Sequence, residues 1–206
     1  MILPASYYRH NDVVEIARDL IGKTLCTRIG GKLTGGLITE TEAYAGANDK
    51  AAHSYGGRRT RRTEVMFSEG GVSYVYLCYG IHHLLNIVTN KKDVPQAVLI
   101  RAIWPTRGIE TILKRRLSAH ITKNLCVGPG KVSSALGINL LHNNLPLTGK
   151  TLWLEDEKIK FDKKKIKVGP RIGVDYAGED AKLPYRFWVE DPPSVFPDLK
   201  PAKKQK

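Results

Sequence analysis

Acidic residues are scarce against their counterparts: 20 Asp and Glu face 33 Lys and Arg in 206 residues, a formal net charge of +13. The deficit fits a polyanionic partner, since each Lys or Arg set against a phosphate releases condensed counterions. Plain solubility of a basic protein explains it equally well. Cysteine is nearly missing. Cys26, Cys78 and Cys126 are odd in number, widely spaced and form no CxxC pair, which indicates neither a disulfide framework nor a zinc site and points to a reducing, intracellular compartment. No apolar run approaches bilayer-spanning length, and Met1-Ile2-Leu3-Pro4-Ala5 lacks the charged region and apolar core of a signal peptide, so no membrane partner is expected. Internal repeats are absent, as is any linker between two apolar-rich halves. A chain of 206 residues then suits one domain with a sizeable core.

What is present concentrates between Leu37 and Asn86. If Leu37 to Tyr44 is extended, alternation puts Ile38, Glu40, Glu42 and Tyr44 on one face. Two carboxylates and a phenol are too polar for a plain core strand. With His53 nine residues past Tyr44, they suit a site that holds a flat ring and activates water beside it. Taken alone, His53 reads first as a satisfied loop histidine. Tyr74 to Cys78 and His82 to Val88 are strand-compatible and separated by Tyr79-Gly80-Ile81; Gly80 supplies the positive φ of a tight hairpin turn. Tyr79 is left at the tip, either as a wedge for parting stacked bases or as a ring folded back on its hairpin. His82 and His83 point to opposite faces of a strand and cannot easily share a metal ion.

Elsewhere, Asn11 to Ile21 reads as a helix with Asp12 and Glu15 as a capping box and Gly22 as its stop. Thr24 to Ile29 and Leu33 to Tyr44 form a hairpin around Gly30-Gly31. The connection from Gly46 to Glu69 carries Arg58, Arg59, Arg61 and Arg62, which suit phosphate contacts or a solvated basic loop. Gln96 to Ile103 is a further strand. Gly108 to Leu117 is a helix with Ile109, Ile112, Leu113 and Leu117 on its stripe. Gly128-Pro129-Gly130-Lys131 departs from a Walker loop and opens a short helix to Leu136; its start either receives a phosphate through Lys131 and the backbone or is an ordinary turn. Strands are expected at Thr151 to Glu155, Arg171 to Val174 and Tyr185 to Val189, with Lys163-Lys164-Lys165 as a solvated loop. The domain is expected to span 1–190. Residues 191–206 form a Pro- and Lys-rich tail, disordered from Lys200 to Lys206.

The fragments Thr39-Glu40-Thr41-Glu42-Ala43-Tyr44, Ala51-Ala52-His53-Ser54, Val65-Met66-Phe67, Tyr74 to Gly80, Asn86-Ile87 and Arg101-Ala102 resemble, in order and nearly in spacing, the alkyladenine (3-methyladenine) DNA glycosylase family. The resemblance runs from near residue 4 to near residue 190. It implies an α+β domain on a curved, mainly antiparallel sheet with flanking helices and a protruding, DNA-inserting hairpin. It implies excision of alkylated purines from duplex DNA by a monomer without cofactor, metal or obligate protein partner, in the cytoplasm or at the nucleoid; deaminated purines stay open. By the same resemblance Glu42 is the general base and Arg101 helps hold its water, with backbone near Ile172. Tyr44, His53 and Tyr76 sandwich the flipped base, Asn86 screens out guanine's amine, and Tyr79 intercalates. The matched positions hold no lysine, so water rather than an amine is the expected nucleophile and an abasic site the product. Glu40 is expected to make a structural hydrogen bond. Two departures from the family pattern, Lys91-Lys92 and His82-His83, put groove contacts in doubt and leave the chemistry alone. The rival readings are a metal-dependent nuclease using Glu40, Glu42 and Asp49, and a non-catalytic nucleic-acid-binding module.

Overall fold

A computed structural model describes residues 1–159 and 161–195; the tail end from Lys200 to Lys206 lies outside the described residues. In chain order the elements are helices α1 (Ala5–Tyr8) and α2 (Val13–Asp19), then strands β1 (Thr24–Ile29), β2 (Lys32–Tyr44), β3 (Ser73–Cys78), β4 (His82–Thr89) and β5 (Gln96–Arg107). Helices α3 (Ile109–Arg115) and α4 (Pro129–Leu136), strands β6 (Leu152–Glu155), β7 (Lys167–Gly169) and β8 (Arg186–Trp188), and helix α5 (Pro192–Val195) follow. The sheet runs β3-β4-β5-β2-β1-β6, and β8 joins β2 while pairing with β7. Every strand pairing among the described residues is antiparallel.

The order follows from local chemistry. Gly30 and Gly31 both adopt positive φ, which closes β1 onto β2 in the tight turn that their missing Cβ atoms allow. β2 is long enough to serve two partners on one edge: β1 along Lys32 to Leu37 and β8 along Glu40 to Glu42. Its other edge pairs with β5 from Gly35 to Tyr44. Helices α2 and α4 share the main core with the sheet, through Ile16, Ala17, Val132, Ala135 and Leu136. Thr41 donates its hydroxyl to the Ala17 carbonyl at 2.7 Å, so this part of β2 turns Thr41 and Ala43 to the core. Glu40, Glu42 and Tyr44 are thereby sent to the opposite face.

Several expectations shift. Asp12 does cap α2, accepting from the backbone of Val14 and Glu15. The reciprocal arm is not formed, because His10 takes the Asp12 amide and pairs with Glu15. Ile38 is fully buried in the main core and does not share the face of the two glutamates, since the β2–β5 register slips between Ile38 and Glu40. A bulge of that kind inverts the alternation beyond it. Leu117 is almost fully exposed with positive φ, two residues past the end of α3. Arg171 to Val174 forms a bend instead of a strand, and the strand that does form lies earlier, at Lys167–Gly169. Pairing with β8 decides that position, and no local pattern announces it. Past residue 190, Val195 is still buried in the main core.

Candidate active site

β2 and β5 are both irregular at one point. Glu40 faces Ala102 while Thr41 faces Ile100, which leaves Arg101 as the extra residue of a bulge. Bulges re-aim side chains beside active sites, and here the guanidinium is aimed across β2. Arg101 Nε lies 3.0 Å from Glu40 Oε1 and 3.4 Å from Glu42 Oε1. Glu40 also accepts from Arg186 at 3.2 Å, so it is held between two arginines. Glu42 pairs with Arg101 alone of the two.

Glu42 is completely buried. Its Oε2 accepts from the Tyr44 hydroxyl at 3.0 Å, and its Oε1 accepts from the Ile172 amide at 2.8 Å. Burial, above all, raises its pKa above the ordinary carboxylate value; Arg101, the Ile172 amide and the Tyr44 hydroxyl oppose that rise. The result is a carboxylate of raised basicity, which suits it to accepting a proton. It lies just beneath the floor of a cleft of about 440 Å³ whose lining includes Tyr44, Arg101 and Ile172.

The cleft walls are aromatic. His53 meets Tyr76 edge-on, centroids 4.7 Å apart, and its Nδ1 shares a proton with the Tyr74 hydroxyl at 2.9 Å. Burial, then the nearby Arg62, pushes the His53 pKa down to about 4, so the imidazole is neutral at pH 7. Arg62 covers the Tyr76 ring at 4.8 Å. Asn86 stands opposite Tyr74 in the hairpin, donates its amide to the Tyr74 carbonyl at 3.2 Å, and lines the cleft. Tyr44, His53, Tyr76, Asn86 and Arg101 are therefore gathered round one cavity from five parts of the chain.

Tyr79 projects from the β3–β4 turn with 91 % of its surface exposed, and Ile81 beside it is 72 % exposed. The turn closes by an Ile81 amide to Cys78 carbonyl bond, and both Tyr79 and Gly80 have positive φ. His82 packs where a Cβ on Gly130 would stand, 2.9 Å from its ring, so Gly130 lets the hairpin seat against the start of α4. Arg58, Arg59, Arg61, Arg62 and Lys131 are all exposed. Arg59 is in addition paired within the chain. It donates to Glu64 at 2.8 Å and to Asp93 at 2.9 Å, and lies over Phe67.

Two residues of the site escaped the sequence. Tyr74 was legible only as a strand residue, yet its hydroxyl fixes His53. Arg171, read as the start of a strand, is buried with Asp49 and lies over the Tyr44 ring at 4.9 Å. Its signal was the arginine itself: a basic residue flanked by Gly169-Pro170 and Gly173 sits in a loop, and a buried one needs a carboxylate. The acids of the nuclease reading are each tied to arginine, Glu40 and Glu42 to Arg101 and Asp49 to Arg171. No group of three metal-ligand side chains gathers among the described residues.

Comparison with known proteins carries the assignment further. The methylpurine-DNA glycosylase family model matches residues 6–193. A Chlamydia felis protein named "Putative 3-methyladenine DNA glycosylase" is 46% identical over 187 residues, covering 90% of this chain and 95% of the relative. Proteins of the same name from Bacillus cereus strain AH820 and Bacillus thuringiensis strain Al Hakam are each 47% identical over 203 residues, 95% of this chain and 98% of theirs. With the family model over residues 6–193 and such relatives matched across nearly their whole length, the chain belongs to the methylpurine-DNA glycosylase family and is a DNA glycosylase, a repair hydrolase whose substrate is DNA.

Proposed function

We propose that this enzyme flips an alkylated purine nucleotide out of duplex DNA into the aromatic cleft and hydrolyses its N-glycosidic bond with a water activated by Glu42. The observation that carries the reading is the buried Glu42 carboxylate, held beneath that cleft by Tyr44, Ile172 and Arg101, three residues that line it. In this scheme the water oxygen attacks the sugar carbon as the bond to the base breaks. The base leaves with the bonding pair, and Glu42 takes the water's proton. The developing oxocarbenium is stabilised by the same carboxylate. An alkylated adenine is cationic; Tyr44 and Tyr76 offer it electron-rich faces, and a neutral His53 adds no like charge. Arg101 holds the water. Among the described residues no lysine lines the cleft, which supports direct hydrolysis without strand cleavage by an amine nucleophile. In this reading residues 1–190 are the glycosylase domain, and the enzyme works as a monomer without metal or other cofactor. It would act where DNA is, in the cytoplasm or at the nucleoid.

Asn86 sets selectivity in this scheme. Its amide is spent on the Tyr74 carbonyl, and its fixed side chain crowds a purine that bears an exocyclic amine. Asn86→Ser should admit guanine-derived lesions while keeping part of the action on alkylated adenine. Excision rates on both base types check this; an unchanged ratio would move discrimination to another residue.

The basic surface meets phosphates through Arg58, Arg61, Arg62 and Lys131. Arg59 lies exposed in the same loop, its charge offset by two acidic partners. Affinity for duplex DNA should therefore fall steeply with salt, by roughly one log unit per log unit of salt for each phosphate neutralised. A titration series from low to high salt measures the slope, and a flat dependence would rule out a phosphate-tracking face.

A further inference from the structure

One buried charge that does not line the cleft ties together the parts that surround Glu42. The Arg171 side chain is fully buried, and its partner Asp49 is 2 % exposed. Its guanidinium donates to both Asp49 carboxylate oxygens, to the Ala43 carbonyl at 2.9 Å and to the Asp180 carbonyl at 3.0 Å. The same group lies over the ring of Tyr44, whose hydroxyl donates to Glu42. Asp49 accepts the amides of Ala45 and Ala51, which fixes the turn leading to His53. The residue that follows Arg171 is Ile172, whose amide donates to Glu42 at 2.8 Å.

We infer that Arg171 is a positioning residue for the hydrolytic step, holding the Ile172 amide and the Tyr44 hydroxyl on Glu42 through its four-way hydrogen bonding. The inference rests on Glu42 as the general base. Arg171 touches no reacting atom. Its flat, forked guanidinium meets Asp49 with two nitrogens and reaches two carbonyls in one plane, a pattern that a lysine amine cannot reproduce. A stability role alone would leave the protonation of Glu42 unaffected; a positioning role does not. The charged and titratable groups around Glu42 are Arg101 on β5, Tyr44 and Glu40 on β2, and Arg171 itself, with Arg186 of β8 reaching Glu40. The Ile172 amide favours the ionised carboxylate. When that amide drifts, the Glu42 pKa rises further, and the ionised base is reached only at higher pH.

The test is single-turnover excision of one N-alkylated purine from a duplex by the full chain, as a function of pH, in the parent, Arg171→Lys and Glu42→Gln. Arg171→Lys should bind the lesion duplex yet excise about ten- to a hundredfold more slowly, the usual effect of a small misplacement, with the acid limb of its profile moved to higher pH. An unchanged rate and acid limb would overturn the inference and make the Arg171–Asp49 pair purely structural. Glu42→Gln separates the two layers: if it cleaves like the parent, the base assignment fails and the inference with it. If it is inactive while Arg171→Lys is parental, the inference alone fails. Should Arg171→Lys not fold, Asp49→Asn, which leaves Arg171 its two carbonyls, takes its place. The Glu42 carboxyl titration by carbon NMR then reads the upward shift without turnover, against the downward shift that losing the Asp49 charge alone would cause. An unshifted or lowered carboxyl pKa would overturn the inference.

Discussion

Glu42→Gln is expected to leave binding to a lesion duplex intact while lowering single-turnover excision by about 10²–10⁴, the usual worth of a positioned general base. That loss corresponds to about 3–5 kcal/mol of transition-state stabilisation. Glutamine keeps the shape, and its amide oxygen can still accept one of the hydrogen bonds now made by Tyr44 and Ile172. What it cannot do is take a proton. The parent should also show an acid limb above the ordinary glutamate value of 4.5, since burial raises the Glu42 pKa. The sign is clear: as pH falls through the raised pKa, the carboxylate gains a proton and the base is lost. Parental activity in Glu42→Gln would remove the carboxylate from the mechanism.

Tyr79→Ser should fail differently. The ring stands 91 % exposed at the hairpin tip, so it stabilises nothing visible in the free protein. Its backbone is in the left-handed region at φ 50°, a conformation costing a bulky residue about 1–2 kcal/mol. A strained and solvated tyrosine fits a ring that fills the gap left by an extruded base. Removing it should slow excision from paired duplex by about ten- to a hundredfold, from a few kcal/mol of lost compensation for unstacking. The loss should be mildest on mismatched or single-stranded substrate, where less stacking is broken. Tyr79→Gly should share the defect while making the turn more stable, because glycine carries no penalty at that φ. Equal losses on every substrate would reduce Tyr79 to a packing role.

Much of the architecture could be read from short-range chemistry. The Gly30-Gly31 and Tyr79-Gly80 turns announce both hairpins, and alternation along β2 brings Glu42 and Tyr44 to one face, where they are hydrogen-bonded. The remainder depends on partners distant in sequence. The slip at Thr39 that buries Ile38, and the bulge that turns Arg101 onto the glutamates, exist only in the pairing of β2 with β5. Arg59 looks like its neighbours until Asp93, 34 residues away, is folded beside it. Arg171 acquires its meaning from Asp49, 122 residues earlier. Periodicity reports which face a residue takes in a regular strand and is silent where the strand is irregular. Here the candidate site sits at the irregular points.

The most direct test of the mechanism is incubation of the parent enzyme with duplexes that each hold one modified base, with chelator present throughout. Products are resolved before and after alkali, with borohydride added in parallel to trap any covalent enzyme–sugar adduct. The account predicts release of alkylated purine, intact strands until alkali breaks them at the abasic site, and no trapped adduct. Strand breaks before alkali, a borohydride-stable adduct, or activity abolished by the chelator would contradict hydrolysis by a Glu42-activated water.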